Sequence, residues 1–252
     1  MLVNDKSVRR TQLLSLQDRD SDFLEKIASE SRVLIVEGIS GSGKDIFQTY
    51  LKKKLESRNV YDYSEGEVLH SWNQLQIEGI FALRIKFMKL FVTYMRDTVS
   101  RDENAVFLLN RFHLSTCAQQ SKLGREYEEV INILRTLRVH VFILHLDENE
   151  FEKRSLHPER SGAWQKFQQR LAEKGSFRNR LERQQRVILE TAKRQRIPYS
   201  VIKVSYEPEI KGGQVRISEA PSIVPVDVWK NSANAKMSRI NRRLRQIVRK
   251  DN

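Results

Sequence analysis

Between Glu37 and Ile46 the chain reads EGISGSGKDI, which sets Gly38, Gly43 and Lys44 at the spacing of a phosphate-binding loop: glycine, four residues, glycine, lysine. The chemistry this spacing serves is polyphosphate recognition. Glycines let successive backbone N–H groups turn inward around phosphate oxygens. A helix starting near Lys44 points its partial positive end at them, and the Lys44 ammonium reaches the β- and γ-phosphates. Gly38, Ser40, Gly41, Ser42, Gly43, Lys44, Asp45 and Ile46 are the candidate nucleotide-binding residues, with ATP and Mg2+ as the expected cofactors. One position departs from the pattern. The residue after the lysine, ordinarily a serine or threonine whose hydroxyl touches magnesium, is Asp45. Magnesium takes carboxylate oxygens directly or through water, so Asp45 is the candidate metal residue. Glu37 is a second carboxylate here, either a base or metal partner or a hydrogen-bonding cap of the loop.

Such a loop needs a strand before it and a helix after it. RVLIVEG, residues 32–38, is a continuous apolar run of strand length, the pattern of a strand buried on both faces. DIFQTYLKKKLESR follows with Ile46, Phe47, Tyr50, Leu51 and Leu55 at helical spacing. AVFLLN, VHVFILHLD and IPYSVIKVS read as further strands, and NVYDYSEGEVL as a more exposed one. Residues 71–100, KLGREYEEVINILRTLR and FRNRLERQQRVILETAKRQR read as helices, and DSDFLEKIASESR as a short helix capped by Asp20 or Ser21. This alternation predicts a three-layer α/β/α sandwich with a parallel sheet. The organisation expected is an N-terminal arm and helix over 1–30, the loop-bearing domain over 31–205, and a C-terminal extension over 206–252. That extension reads as loops or a small hairpin followed by a basic helix, with Met237, Ile240, Leu244 and Ile247 on one face.

The bulk composition sets limits. Of 252 residues 39% are hydrophobic, enough for a core, while 31% are charged with a net charge of +13. That excess favours anionic partners such as nucleotides, nucleic acid or acidic membranes, without choosing among them. A single cysteine, Cys117, rules out a disulfide within the chain and a Cys/His zinc site. No apolar run reaches membrane-spanning length and the start carries no secretory signal, so a cytoplasmic protein is expected.

VEGISGSGKD resembles the first motif of thymidylate kinases, whose loops read like EGIDGSGKST. A second segment, NRFHLSTCAQQ at 110–120, resembles that family's segment at the end of a later core strand. Arg111, Ser115, Thr116, Ala118 and Gln120 fall in register. The resemblance spans residues 32–205. It implies a P-loop kinase fold with a basic lid segment and phosphoryl transfer from ATP to a nucleoside monophosphate. It also implies residue roles. Lys44, Arg111, Arg154 and Arg160 would be catalytic, with Lys166 a further lid candidate. Arg111 would grip the acceptor's phosphate, a guanidinium matching phosphate with paired donors. Ser115 and Gln120 would face the acceptor base. A homodimer is expected by the same resemblance.

The departures from the family pattern are specific. Its loop aspartate is Ser40 here, its serine or threonine after lysine is Asp45, and its next threonine is Ile46. The aspartate before the motif arginine is Asn110, and YSEGEVLHSW stands where the family has an REPGG-like acceptor segment. These changes argue against thymidylate as the acceptor, leaving a nucleoside or another nucleoside monophosphate. Asp45 and Asn110 are expected to compensate, one adding a carboxylate at the metal side and the other removing one. The alternatives are a catalytically inactive nucleotide-binding regulator, or a nucleic-acid-binding protein or polynucleotide kinase acting through the basic C-terminal helix. Among the remaining residues, His113 is expected at the surface near the site, His145 and Cys117 in structural roles, Trp164 as a base-stacking or packing residue, and Asp147 as a helix cap.

Overall fold

The computed structural model describes residues 14–15, 18–68, 77–120, 125–151, 154, 166, 169, 177–207 and 214–217. The strands are β1 (Leu14–Ser15), β2 (Val33–Gly38), β3 (Asn59–Tyr63), β4 (Ala105–Asn110), β5 (Val139–Leu146), β6 (Tyr199–Glu207) and β7 (Gln214–Ile217). The helices are α1 (Asp18–Glu30), α2 (Lys44–Lys54), α3 (Ile80–Arg101), α4 (His113–Gln120), α5 (Glu128–Leu134) and α6 (Phe177–Gln195).

The apolar runs do what their composition dictates. Every residue of β2 and of β4 is buried, as strands covered on both faces must be. The sheet runs β1-β7-β6-β5-β2-β4-β3. From β3 to β6 all pairs are parallel, with Val33 facing Phe107 on one side and Val139 on the other. β7 returns antiparallel on β6, the hairpin expected after residue 206. β1, within the segment expected to be a loose arm, pairs with β7. β3 lies at the sheet edge and is half-exposed, and Tyr61 and Tyr63 stack on Phe107 to cover it.

The chain leaves β2 toward β3 in one direction across the sheet. It leaves β4 and β5 in the other. With right-handed crossovers the helices after β2 and after its neighbours diverge to opposite faces. The crevice this opens, at the carboxyl ends of β2, β4 and β5, is where α/β sheets bind ligands. At the far end, arginines close helix termini. Arg58 donates to the carbonyls of Ala28, Ser29 and Ser31 at the end of α1, and Arg32 to those of Val99 and Asp102 at the end of α3. Part of the basic excess is therefore structural.

Two helices differ from their sequence expectation. The region 125–137 holds a 3-10 turn, Arg125–Tyr127, and only the seven-residue α5. The 110–120 motif, placed by the sequence only at the end of a core strand, contains α4. α3 is described from Ile80 onward, behind Gly79 at φ 75°. Arg160 and Trp164, expected in a lid, and the C-terminal segment expected as a basic helix lie outside the described residues. Among the described residues no helix is long and apolar enough to cross a membrane.

Candidate functional site

The glycine loop joins β2 to α2 at the mouth of that crevice. Gly38 has φ 150°, and a Cβ there would lie 2.6 Å from Ser42 Oγ and 2.8 Å from the Leu144 carbonyl oxygen. Only glycine lets the loop turn this close to β5. Gly43 at φ 82° opens α2, and no side chain caps the helix start. Lys44 Nζ donates to the Ile39 carbonyl at 2.8 Å, and Ser42 Oγ donates to the same oxygen at 3.0 Å. Lys44 is buried, which pushes its pKa down from 10.5 to about 7. The nearby Arg111 charge pushes the same way, and Glu65, Asp45 and Glu37 oppose it. Of the other loop residues Ser42 is fully buried, Ser40 and Ile46 are half-buried and Asp45 is exposed.

Asp45 and Asn110 are in contact. Asn110 Nδ2 donates to Asp45 Oδ1 at 2.5 Å, 65 positions apart in sequence. The carboxylate fixes the amide orientation, since the reversed amide would set oxygen against oxygen. Asn110 Oδ1 is buried and has no partner among the described residues.

Glu37 is fully buried and serves α4. Its Oε1 accepts from the N–H groups of Phe112 (2.9 Å) and Leu114 (3.1 Å), and its Oε2 from the Ser115 N–H (3.2 Å) and hydroxyl. The carboxylate thus caps a neighbouring helix start, where its charge meets the favourable end of the dipole. Burial pushes its pKa up, against these hydrogen bonds and Arg111, which pull it down. Neither the base nor the loop-capping role expected for Glu37 fits an acid so occupied. Ser115 is corrected with it: its hydroxyl is held by Glu37 and it is buried, so it positions α4 and does not face an acceptor. Glu37→Ala is expected to cost about 3–4 kcal/mol, because several buried donors lose their acceptor together. A urea midpoint within error of wild type would refute this capping role.

Arg111 follows β4 with φ 63°, a left-handed conformation unusual outside glycine. Its N–H donates to the Val36 carbonyl at 2.9 Å, extending the β2–β4 ladder. Its side chain is 10% exposed and its Nε lies 2.9 Å from Glu65 Oε2. Arg154, beyond β5, reaches back to the loop, its Nε donating to the Gly41 carbonyl at 3.1 Å. A Cβ on Gly41 would sit 3.3 Å from Arg154 Cβ. Lys44 and Arg154 both donate to carbonyls of the loop, and Arg111, held beside it by Val36 and Glu65, acts on Lys44 through its charge. Lys166 is exposed, and the Gln120 side chain lies outside the described residues.

Two residues near the site carried no sequence signal that singled them out. Glu65 lies in YSEGEVLHSW, in the turn after β3. Arg84 is fully buried on α3, and its Nη2 donates to Thr116 Oγ1 on α4 at 2.6 Å. Its Nε and Nη1 have no partner among the described residues. A charge on the buried face formed by Ile85, Met88, Val92 and Met95 is the one trace it leaves in the sequence. His113, expected at the surface, is fully buried under α6. Its Nε2 lies 2.6 Å from Gln195 Oε1, and burial holds it neutral with a pKa near 4. Burial pushes the Cys117 thiol up to about 12, so it is an inert core residue. Asp147 accepts from the Asn149 N–H and caps the short turn after β5, as expected.

No protein-family model matches the chain, and no curated protein matches it. Among solved structures it is similar to a thymidylate kinase from Ehrlichia chaffeensis, at 18% identity and TM-score 0.44, covering 72% of this chain and 92% of that one. A shikimate kinase from Acinetobacter baumannii, solved with shikimate, is similar at 14% identity and TM-score 0.43, covering 72% and 88%. A thymidylate kinase from Candida albicans is similar at 15% identity and TM-score 0.35, covering 69% and 84%. At these scores the description as a P-loop kinase-like α/β/α fold rests on the chain's own strand order and on its glycine loop after the central strand.

Proposed function

We propose that this chain is an ATP-dependent phosphotransferase acting on a nucleoside or a nucleoside monophosphate. The observation that carries the reading is that Arg154, from a separate segment, joins Lys44 on the carbonyls of one glycine loop, with the Arg111 charge acting on Lys44 beside it. A protein that only bound nucleotide would need the loop and its lysine. Further cations beside the loop lysine suit a phosphoryl group passing between two ligands, where positioning and charge stabilisation supply nearly all of the catalysis.

The residues fit the cofactors. The loop turns where only glycine fits, the start of α2 has no side-chain cap, and Lys44 and Ser42 spend hydrogen bonds on a carbonyl that phosphate oxygens would outcompete. Among the described residues no cluster of three or more acidic, His or Cys side chains forms an all-protein metal site. Magnesium bound with a nucleotide needs only one or two carboxylates beside phosphates and water, and Asp45 supplies one. Bound together, the two cofactors supply a transferable phosphoryl group with its charge partly neutralised. Lys44 holds the phosphates, Arg154 closes over Gly41, and Arg111 faces the acceptor. Arg84, a buried guanidinium with unpartnered donors behind α4, suits an oxygen-bearing group at the far end of that acceptor.

ADP release from magnesium-ATP, measured over a panel of nucleosides and their monophosphates, tests the reading. Acceptor-dependent release that vanishes in Lys44→Met is expected. ATP binding without release from any acceptor would favour the nucleotide-binding regulator, the reading that Asn110 in place of a carboxylate would then support.

A further inference from the structure

We infer that Glu65 sets the acceptor class, so that the group met by Arg111 is the hydroxyl of a nucleoside and not the phosphate of a nucleotide. The inference rests on the phosphotransferase reading and narrows it. Its basis is the ion pair beside that arginine: Glu65 Oε2 lies 2.9 Å from Arg111 Nε, in charge contact without hydrogen-bond alignment.

Both members are held in place. Arg111 is buried, sits in a left-handed backbone conformation and is tied through its N–H to Val36. Its backbone is fixed and its side chain is largely covered, so an anion must enter the crevice to meet it. Glu65 lies in a built turn. The Ser64 N–H and hydroxyl both donate to Glu67 Oε2 at 2.7 Å, and the Val68 N–H donates to the Ser64 carbonyl at 3.2 Å. Val68 is fully buried and anchors the far side of the turn. On the near side Gln48 Nε2 donates to the Tyr63 carbonyl at 3.2 Å. The Glu65 charge also acts on Lys44, raising its pKa against burial.

A phosphate dianion brought to Arg111 would lie against this carboxylate. Like charges a few ångströms apart in a partly buried site weaken binding by about a hundredfold or more. A hydroxyl brings no charge and donates to the same carboxylate. In the transfer the acceptor oxygen forms the new bond to the γ-phosphorus. The bond from that phosphorus to the bridging oxygen breaks, and ADP leaves with the electron pair. The hydroxyl proton passes to Glu65 and then to solvent. Arg111, kept in place by Glu65, faces the transferring group.

The test compares wild type with Glu65→Gln, using nucleosides and their 5′-monophosphates in two assays: ADP release, and calorimetric binding in the presence of a non-hydrolysable ATP analogue. Wild type is expected to favour nucleosides by about a hundredfold in kcat/KM. Glu65→Gln is expected to lower nucleoside turnover and to tighten monophosphate binding about tenfold or more, as the arginine is released to phosphate. A wild-type preference for monophosphates would overturn the inference, and so would a preference unchanged by Glu65→Gln. If no acceptor supports ADP release, the phosphotransferase reading fails by itself. The calorimetric comparison then still decides which acceptor form the Glu65–Arg111 pair admits.

Discussion

Lys44→Met is expected to abolish nucleotide binding and to make the fold more stable. The lysine is buried, and its folded pKa of about 7 lies well below the 10.5 of an exposed lysine. At about 1.4 kcal/mol per unit, holding the ammonium in the loop costs several kcal/mol whenever it is charged. The sign follows from linkage. Between pH 7 and 10.5 the unfolded chain keeps a proton that the folded chain has lost, so the Lys44 contribution to stability rises with pH across that window. Below pH 7 both states are protonated and the full cost is present. Methionine fills the same space without the charge but loses the bond to Ile39. A net gain of about 2 kcal/mol, near 5 °C in melting temperature, is expected at neutral pH. Nucleotide binding has the opposite dependence. Phosphates restore the lysine's affinity for a proton, so above pH 7 binding takes up a proton and weakens by as much as about tenfold per pH unit. Calorimetry at pH 8 in buffers of different ionisation enthalpy measures that uptake. Undiminished binding by Lys44→Met, or no proton uptake by wild type, would remove Lys44 from the phosphate site.

The same residues mark where sequence reading succeeds. The loop, β2, β4 and β5 were legible because the signal is local: glycine spacing in one case, unbroken apolar runs in the others. β3 was legible as an exposed strand because its polar residues alternate with tyrosines at a sheet edge. What could not be read was pairing across the sheet. Glu37 and Ser115 are 78 positions apart, and Arg84 and Thr116 are 32 apart. Nothing in either segment names its partner until the strand order sets β2 beside β4. α4 was missed for the same reason. Eight residues hold too little propensity to make a stable helix alone, and its cap comes from a carboxylate two strands of sequence away. His113 was misjudged because its motif suggests a site-facing residue, while the packing of α6 on α4 buries it.

Asp45 and Asn110 exchange the ends of a hydrogen bond, and that exchange has a large expected signature. The usual pattern sets a hydroxyl donor on the loop against a carboxylate on the strand. Here the loop carries the carboxylate and the strand the N–H donor, joined at 2.5 Å. One carboxylate is therefore kept at this contact, on the loop instead of on the strand. Asn110→Asp alone sets two carboxylates against each other and is expected to cost about 1–3 kcal/mol, with one of them forced to keep its proton. Asp45→Ser alone leaves the amide facing a hydroxyl and removes the carboxylate from this contact, so the magnesium concentration needed for ATP binding should rise about tenfold or more. Combining Asp45→Ser with Asn110→Asp restores a hydroxyl on the loop facing a carboxylate on the strand. Stability and magnesium dependence should then both recover toward wild type, with a coupling of about 2 kcal/mol between the two changes. Rescue of the magnesium dependence separates an exchanged pair from a decayed one, because in a site that has lost its metal the two substitutions would couple in stability alone. Urea unfolding and magnesium titration of the four proteins measure the coupling independently of turnover. Additive effects in both would mean that the Asp45–Asn110 contact plays no part in holding a cation.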